Sequence, residues 1–159
     1  MTNNFKISAL QANEFAGLFG LDDTALGKIG TKKMTVNANP GFPCRVSLED
    51  AAMGEEVILL HYQHHKTNSP YKAGGPVFIR KIAATATPGI NEIPAMLHQR
   101  LLSLRGYDIN GIMQYAMVTE GQNLREQLHT IFDNTAISYI HIHNAKAGCY
   151  NCVAERVNE

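Results

Sequence analysis

Apolar and polar positions alternate from Phe5 to Ser8, the period-two pattern of a strand with one buried face. Ser8 and Gln11 stand at capping-box spacing. Ala12, Phe15, Ala16 and Phe19 then line one helical face, with Gly20 placed to end a helix. The stretch from Leu21 to Lys33 is polar and carries Gly27 and Gly30, which predicts a loop or a single turn, and Met34 to Val36 suits a short strand. The two prolines of Pro40-Gly41-Phe42-Pro43-Cys44-Arg45 exclude a helix or a central strand there. Glu56 to Tyr62 reads as a strand built on an aliphatic run, ending in a polar stretch, Gln63 to Pro70, that contains His64 and His65. Ser69 to Pro76 has turn chemistry and Val77 to Arg80 is again strand-like.

Pro94 suits the start of a short helix ending near His98. Leu102 to Tyr107 and Ile112 to Val118 flank Asp108-Ile109-Asn110-Gly111. An Asn-Gly pair between two β-type runs predicts a hairpin whose turn asks for positive φ at both residues. Leu124, Leu128, Ile131 and Phe132 fall at helical spacing, predicting an amphipathic helix from about Gln122 to Asp133. Ile137 to His143 and Tyr150 to Val157 read as two strands around the turn Asn144 to Gly148. Most strands follow one another too closely for crossover helices, so their pairing should be antiparallel. The expected architecture is α+β: one domain over residues 1–159, mainly a curved antiparallel sheet, with about three helices on one face or end.

Composition narrows the function classes. Of 159 residues, 45% are hydrophobic and 18% charged, which excludes a disordered chain. Lys and Arg number 14 and Asp and Glu number 14, so no excess positive field exists to drive general nucleic-acid binding. The longest aliphatic run, Val57 to Leu60, is far short of the ~20 residues a membrane helix needs. The opening MTNNFKISALQANEF lacks the apolar stretch of a signal peptide, so a cytoplasmic location is expected. Three cysteines, Cys44, Cys149 and Cys152, are an odd number that argues against a disulfide framework.

Three groups carry candidate chemistry. On a strand, His141 and His143 share a face while Ile140 and Ile142 enter the core, so the two imidazoles can chelate one ion, with Cys149 as a neighbouring ligand. Mixed imidazole and thiolate ligation would favour Zn²⁺, with affinity falling as pH drops through about 6.5, where free imidazoles protonate. The alternative is a polar strand face whose histidines meet solvent or hydrogen-bond locally. Cys149-Tyr150-Asn151-Cys152 has dithiol spacing, but on a regular strand Cys149 and Cys152 point to opposite faces. Arg45, Arg80 and Arg105, with Tyr71, Lys72, Gly74 and Gly75, suggest a site for a small anionic ligand, or else surface arginines paired with carboxylates.

Four blocks, PGFPCRVSLEDAAMGEEVILLHY, SPYKAGGPVFIR, LRGYD and YIHIHNAKAGCYNCVAERV, resemble a bacterial family catalogued as domain of unknown function 1203, across Phe5 to Val157. The resemblance implies a small stand-alone protein and transfers no activity. It moves weight toward Cys44, Arg45, Tyr71, Arg80, His141 and Cys149, and away from His143 and Cys152. Two functions follow. One is a small-ligand or metal-binding domain, with Cys44, Arg45, Tyr71 and Arg80 around the ligand and His141, His143 and Cys149 around a metal. The other is a non-catalytic interaction or oligomerisation module, a homo-oligomer included, in which the same residues are structural.

Overall fold

The computed structural model describes residues 3–158. Its strands are β1 (Phe5–Ser8), β2 (Lys32–Thr35), β3 (Glu56–His65), β4 (Ala73–Arg80), β5 (Leu101–Tyr107), β6 (Met113–Glu120), β7 (Tyr139–Asn144) and β8 (Tyr150–Arg156). The α-helices are α1 (Asp23–Lys28), α2 (Ala95–His98) and α3 (Leu124–Phe132). The fold is α+β and antiparallel throughout its ladders, but the strands divide into two sheets rather than one. A five-stranded sheet runs β1-β8-β7-β5-β6, and a three-stranded sheet runs β2-β3-β4. Among the described residues, no helix is long and apolar enough to cross a membrane.

The larger sheet has two unlike faces. Leu102 and Leu104 from β5, Ile140 and Ile142 from β7, and Cys152 and Ala154 from β8 pack with Leu124, Leu128, Ile131 and Phe132 of α3 in the main core. The other face carries three cross-strand pairs of different character: Tyr107 opposite Tyr139, Arg105 opposite His141, and Ser103 opposite His143. The smaller sheet brings Ile58, Val77 and Ile79 into a second core with Cys44, Val46, Phe15 and the Tyr150 ring of β8. That second core joins the two sheets.

Three local readings change. Residues after Ser8 form two 3-10 turns, Ala12–Glu14 and Ala16–Gly20, instead of a continuous α-helix, and no side chain caps them. Gly17 and Gly20 weaken helix formation, and the Ala12 N–H is drawn away to the Thr85 hydroxyl at 2.9 Å. Within the stretch read as a loop or a single turn, the six residues of α1 form because Asp22 accepts a hydrogen bond from the Ala25 N–H at 2.8 Å. In the β5–β6 turn Gly111 alone has positive φ, at 75°. Asp108 explains this: its carboxylate accepts from the N–H groups of Asn110 and Ile112, closing a longer loop than a two-residue turn.

Strand β3 also runs further than its aliphatic core, to His65. Tyr62 faces Gly75 and His65 faces Ala73, so one extra residue is accommodated on β3 between them. This bulge lies at the end of the hairpin that covers the polar face of the larger sheet.

Candidate metal centre

His141 and His143 do share a face of β7, as the two-residue spacing requires, but they do not meet solvent: they are 4% and 1% exposed. The bulged end of β3 lies over them. His64 comes within 4.9 Å of His143 and 5.7 Å of His141, ring centre to ring centre. One ring nitrogen from each of His64, His141 and His143 lies within 4.8 Å of the other two. Tetrahedral Zn²⁺ with Zn–N bonds near 2.05 Å sets its nitrogens roughly 3.4 Å apart, so ligation asks for shifts on the order of 1 Å.

The hydrogen bonding leaves this trio open. The His143 Nδ1–H donates to the Gly148 carbonyl at 2.9 Å, which puts the lone pair on Nε2. That nitrogen is buried and has no partner, and the same is true of His64 Nδ1 and His141 Nδ1. A backbone carbonyl fixing one nitrogen while the other stays bare is the arrangement of a metal-ligating histidine. Gly148 presents its carbonyl from the turn at φ 82°, a conformation that costs glycine little. His65 is held differently. Its Nδ1–H donates to the Tyr71 carbonyl at 2.7 Å, and its Nε2 accepts from the Tyr139 hydroxyl at 2.6 Å, so both nitrogens are used.

Burial keeps the three imidazoles neutral. His141 is pushed down to about 2, first by desolvation and then by its histidine neighbours and Arg105. His143 falls to about 3, where burial outweighs the bond to Gly148, and His64 falls to about 4, again mainly by burial. Proton competition for these nitrogens therefore moves well below the pH of about 6.5 expected for free imidazoles. Neutral nitrogen donors in a buried, half-roofed site suit Zn²⁺ and its borderline neighbours rather than Mg²⁺ or Ca²⁺.

The family described as "Protein of unknown function (DUF1203)" matches residues 41–156, a span that contains all three histidines. The chain belongs to the DUF1203 family. No curated protein and no solved structure matches it.

The remaining candidates of this DUF1203 chain fall in separate places. Cys149 stands outside the histidine trio. Its sulfur accepts from Asn144 Nδ2 at 3.2 Å and neighbours the Arg45 guanidinium. Arg45 is 1% exposed, donating to the Tyr150 carbonyl at 2.7 Å and to the Pro43 carbonyl. Burial lowers its pKa, and the cysteines beside it partly offset that. Cys44 is buried under Ser47 and Arg80, whose N–H groups point at its sulfur. Arg80 is taken up by Glu55 at 2.8 Å and Glu49 at 3.2 Å. Tyr71 lies apart from these, against Tyr107. Gly74 and Gly75 spend their backbone in β4, with Gly74 so close to β3 that a Cβ would sit 3.0 Å from the Tyr62 carbonyl, so they form no anion nest. Cys152 faces the main core, its thiol pushed up to about 12 by burial, and makes no dithiol with Cys149.

His64 is the residue that the sequence pattern missed. A signal existed: Ile58, Leu60, Tyr62 and His64 continue one alternation along β3.

Proposed function

We propose that this DUF1203 chain is a metal-binding protein that holds a transition ion, Zn²⁺ first, on His64, His141 and His143. One observation carries the reading. Among the described residues, four buried side-chain nitrogen or oxygen atoms have no partner, and three of them belong to these histidines. An unmet buried polar atom costs about 1–3 kcal/mol, so three in one cluster are a large cost for a merely structural arrangement. An ion bound through these nitrogens would remove all three costs at once. Three protein ligands leave a fourth position for water or a small ligand, where Zn²⁺ acts as a Lewis acid and lowers the pKa of a bound water.

The test is elemental analysis of the purified protein, followed by Zn²⁺ titration of the metal-free form. Wild type and Cys149→Ser should bind one ion alike, while His64→Phe and His141→Phe should each lose at least tenfold in affinity, as expected for removal of a ligand. Equal, weak binding by all four proteins would overturn the reading.

The interaction-module reading has one specific support. Strand β6 is an edge of the larger sheet, and Tyr115 and Val118 on it are 45% and 58% exposed. Sedimentation at rising concentration tests it: a Val118→Lys variant should lose any self-association that wild type displays.

A further inference from the structure

Resting on that metal-binding reading, we propose that the ion's open position takes a small oxyanion, a carboxylate or phosphate group, whose other side is held by Arg105.

Arg105 stands directly opposite His141 in the β5–β7 ladder, on the same face of the sheet. Side chains so paired start about 5 Å apart at Cβ, within reach of one ligand. Its electrostatic effect bears on His64, His141 and His143 alike. Yet its guanidinium is almost unused. The other arginines near the sheets are committed: Arg80 to Glu55 and Glu49, Arg100 to Asp50, and Arg156 to the carbonyls of Ile137, Phe132 and Asn134. Arg105 has only a long contact, 3.4 Å, from Nε to the Ser103 hydroxyl, and no ion pair among the described residues.

Charge makes the same demand. The three ligands are neutral, so a divalent ion brings its full charge into a half-buried site. The charged groups that act on the trio are cations, Arg105 on all three histidines and Arg45 on His143. An anion is what such a site lacks. The planar fork of Arg105 offers parallel N–H donors to one oxygen pair, while the ion takes an oxygen directly. This matches an oxyanion better than a halide. Tyr107 and Tyr139, the next cross-strand pair along the same face, supply an aromatic wall for whatever carries the anionic group. His64 and Arg105 are only partly buried, which leaves a way in.

The experiment uses the full chain loaded with Co²⁺, whose visible spectrum reports its ligands. Acetate and inorganic phosphate are titrated separately into wild type, Arg105→Lys and Arg105→Met. Wild type should give a saturable spectral change with at least one anion, and the one that works names the group. Arg105→Met should keep the anion-free Co²⁺ spectrum, which also shows that it folds, while binding the anion about tenfold or more weakly. Arg105→Lys should fall between. Equal anion affinity in wild type and Arg105→Met, or no response of loaded wild type to either anion, overturns the oxyanion proposal and leaves the metal site standing. Failure of wild type to take up Co²⁺ appears before any anion is added and overturns both.

Discussion

The His64 imidazole lies flat against the Tyr150 ring, with 3° between the planes and 4.9 Å between the centres. Stacking of this kind holds the roof of the metal site against β8 without using either ring nitrogen. A phenyl ring keeps the stack and loses the nitrogens. His64→Phe should therefore leave the metal-free protein as stable as wild type, or more stable by about 1 kcal/mol through removal of an unmet buried Nδ1, while Zn²⁺ binding collapses. Urea denaturation paired with Zn²⁺ titration checks both halves. A large loss of stability would mean that the nitrogens serve the fold.

The metal-free protein should be acid-labile. Unfolded imidazoles take up protons below about pH 6.5, whereas folded His141 and His143 stay neutral down to about 2 and 3. Their folded pKa values are depressed, so stability is complete above pH 6.5 and falls as the pH drops beneath it. The ring and charged neighbours of the pair, His64, His65, Tyr107, Tyr139, Tyr150, Arg45 and Arg105, include no carboxylate to reverse the sign. Each of the two costs roughly 1.5 kcal/mol between pH 6.5 and 5, and His64, pushed down to about 4, adds a third contribution of the same sign. Denaturation at pH 7.5, 6.5 and 5 measures this, and His141→Leu should remove about a third of the slope. A flat profile would contradict buried neutral imidazoles.

Gly111 holds the hairpin that carries His64. A Cβ there would lie 2.8 Å from the Thr67 Cβ, and the Thr67 and Ser69 hydroxyls donate to the carbonyls of Asn110 and Gly111 at 3.4 and 2.8 Å. Gly111→Ala should cost about 1–2 kcal/mol from its positive φ alone. It should also weaken Zn²⁺ binding several-fold, because Thr67 follows closely on His64. Gly54 is the comparison: its φ is 83° and a Cβ there meets nothing within 4 Å. Gly54→Ala should show the conformational cost with normal Zn²⁺ affinity. Matching metal affinities in the two variants would separate Gly111 from the site.

One thiol of three should react under native conditions. Cys44 and Cys152 are fully buried, and the Cys152 thiol is pushed up to about 12, whereas Cys149 is half-buried. An aromatic disulfide reagent at pH 8 should modify one cysteine in wild type, none in Cys149→Ser, and all three in wild type after unfolding. A second fast-reacting thiol in the native protein would show that a core is open.

What could be read from the chain was what repeats locally. The shared face of His141 and His143, the β7–β8 pair and the α3 stripe of Leu124, Leu128, Ile131 and Phe132 all follow from period alone. The division into two sheets did not, because no local pattern says which hairpin docks on which face. His64 was hidden for the same reason, compounded by a bulge that carries β3 past the end of its aliphatic run. Arg45 was expected at an anionic ligand or on the surface beside carboxylates, and neither reading contains its burial. Its burial rests on the Pro43 and Tyr150 carbonyls, one of them supplied from the other end of the chain. The expected Cys149 ligand failed to join the histidines because Asn144 and Arg45 take up its sulfur.

The ligand set also has a geography. His141 and His143 sit on a strand bonded along both edges, while His64 sits on a hairpin laid across it from the smaller sheet. The nest of nitrogens therefore exists only where the smaller sheet is closed on the larger. An ion captured there would act as a rivet between two plates. Its arrival should slow amide exchange along β3 and β4 far more than along β5 and β7, and its removal should loosen the smaller plate first.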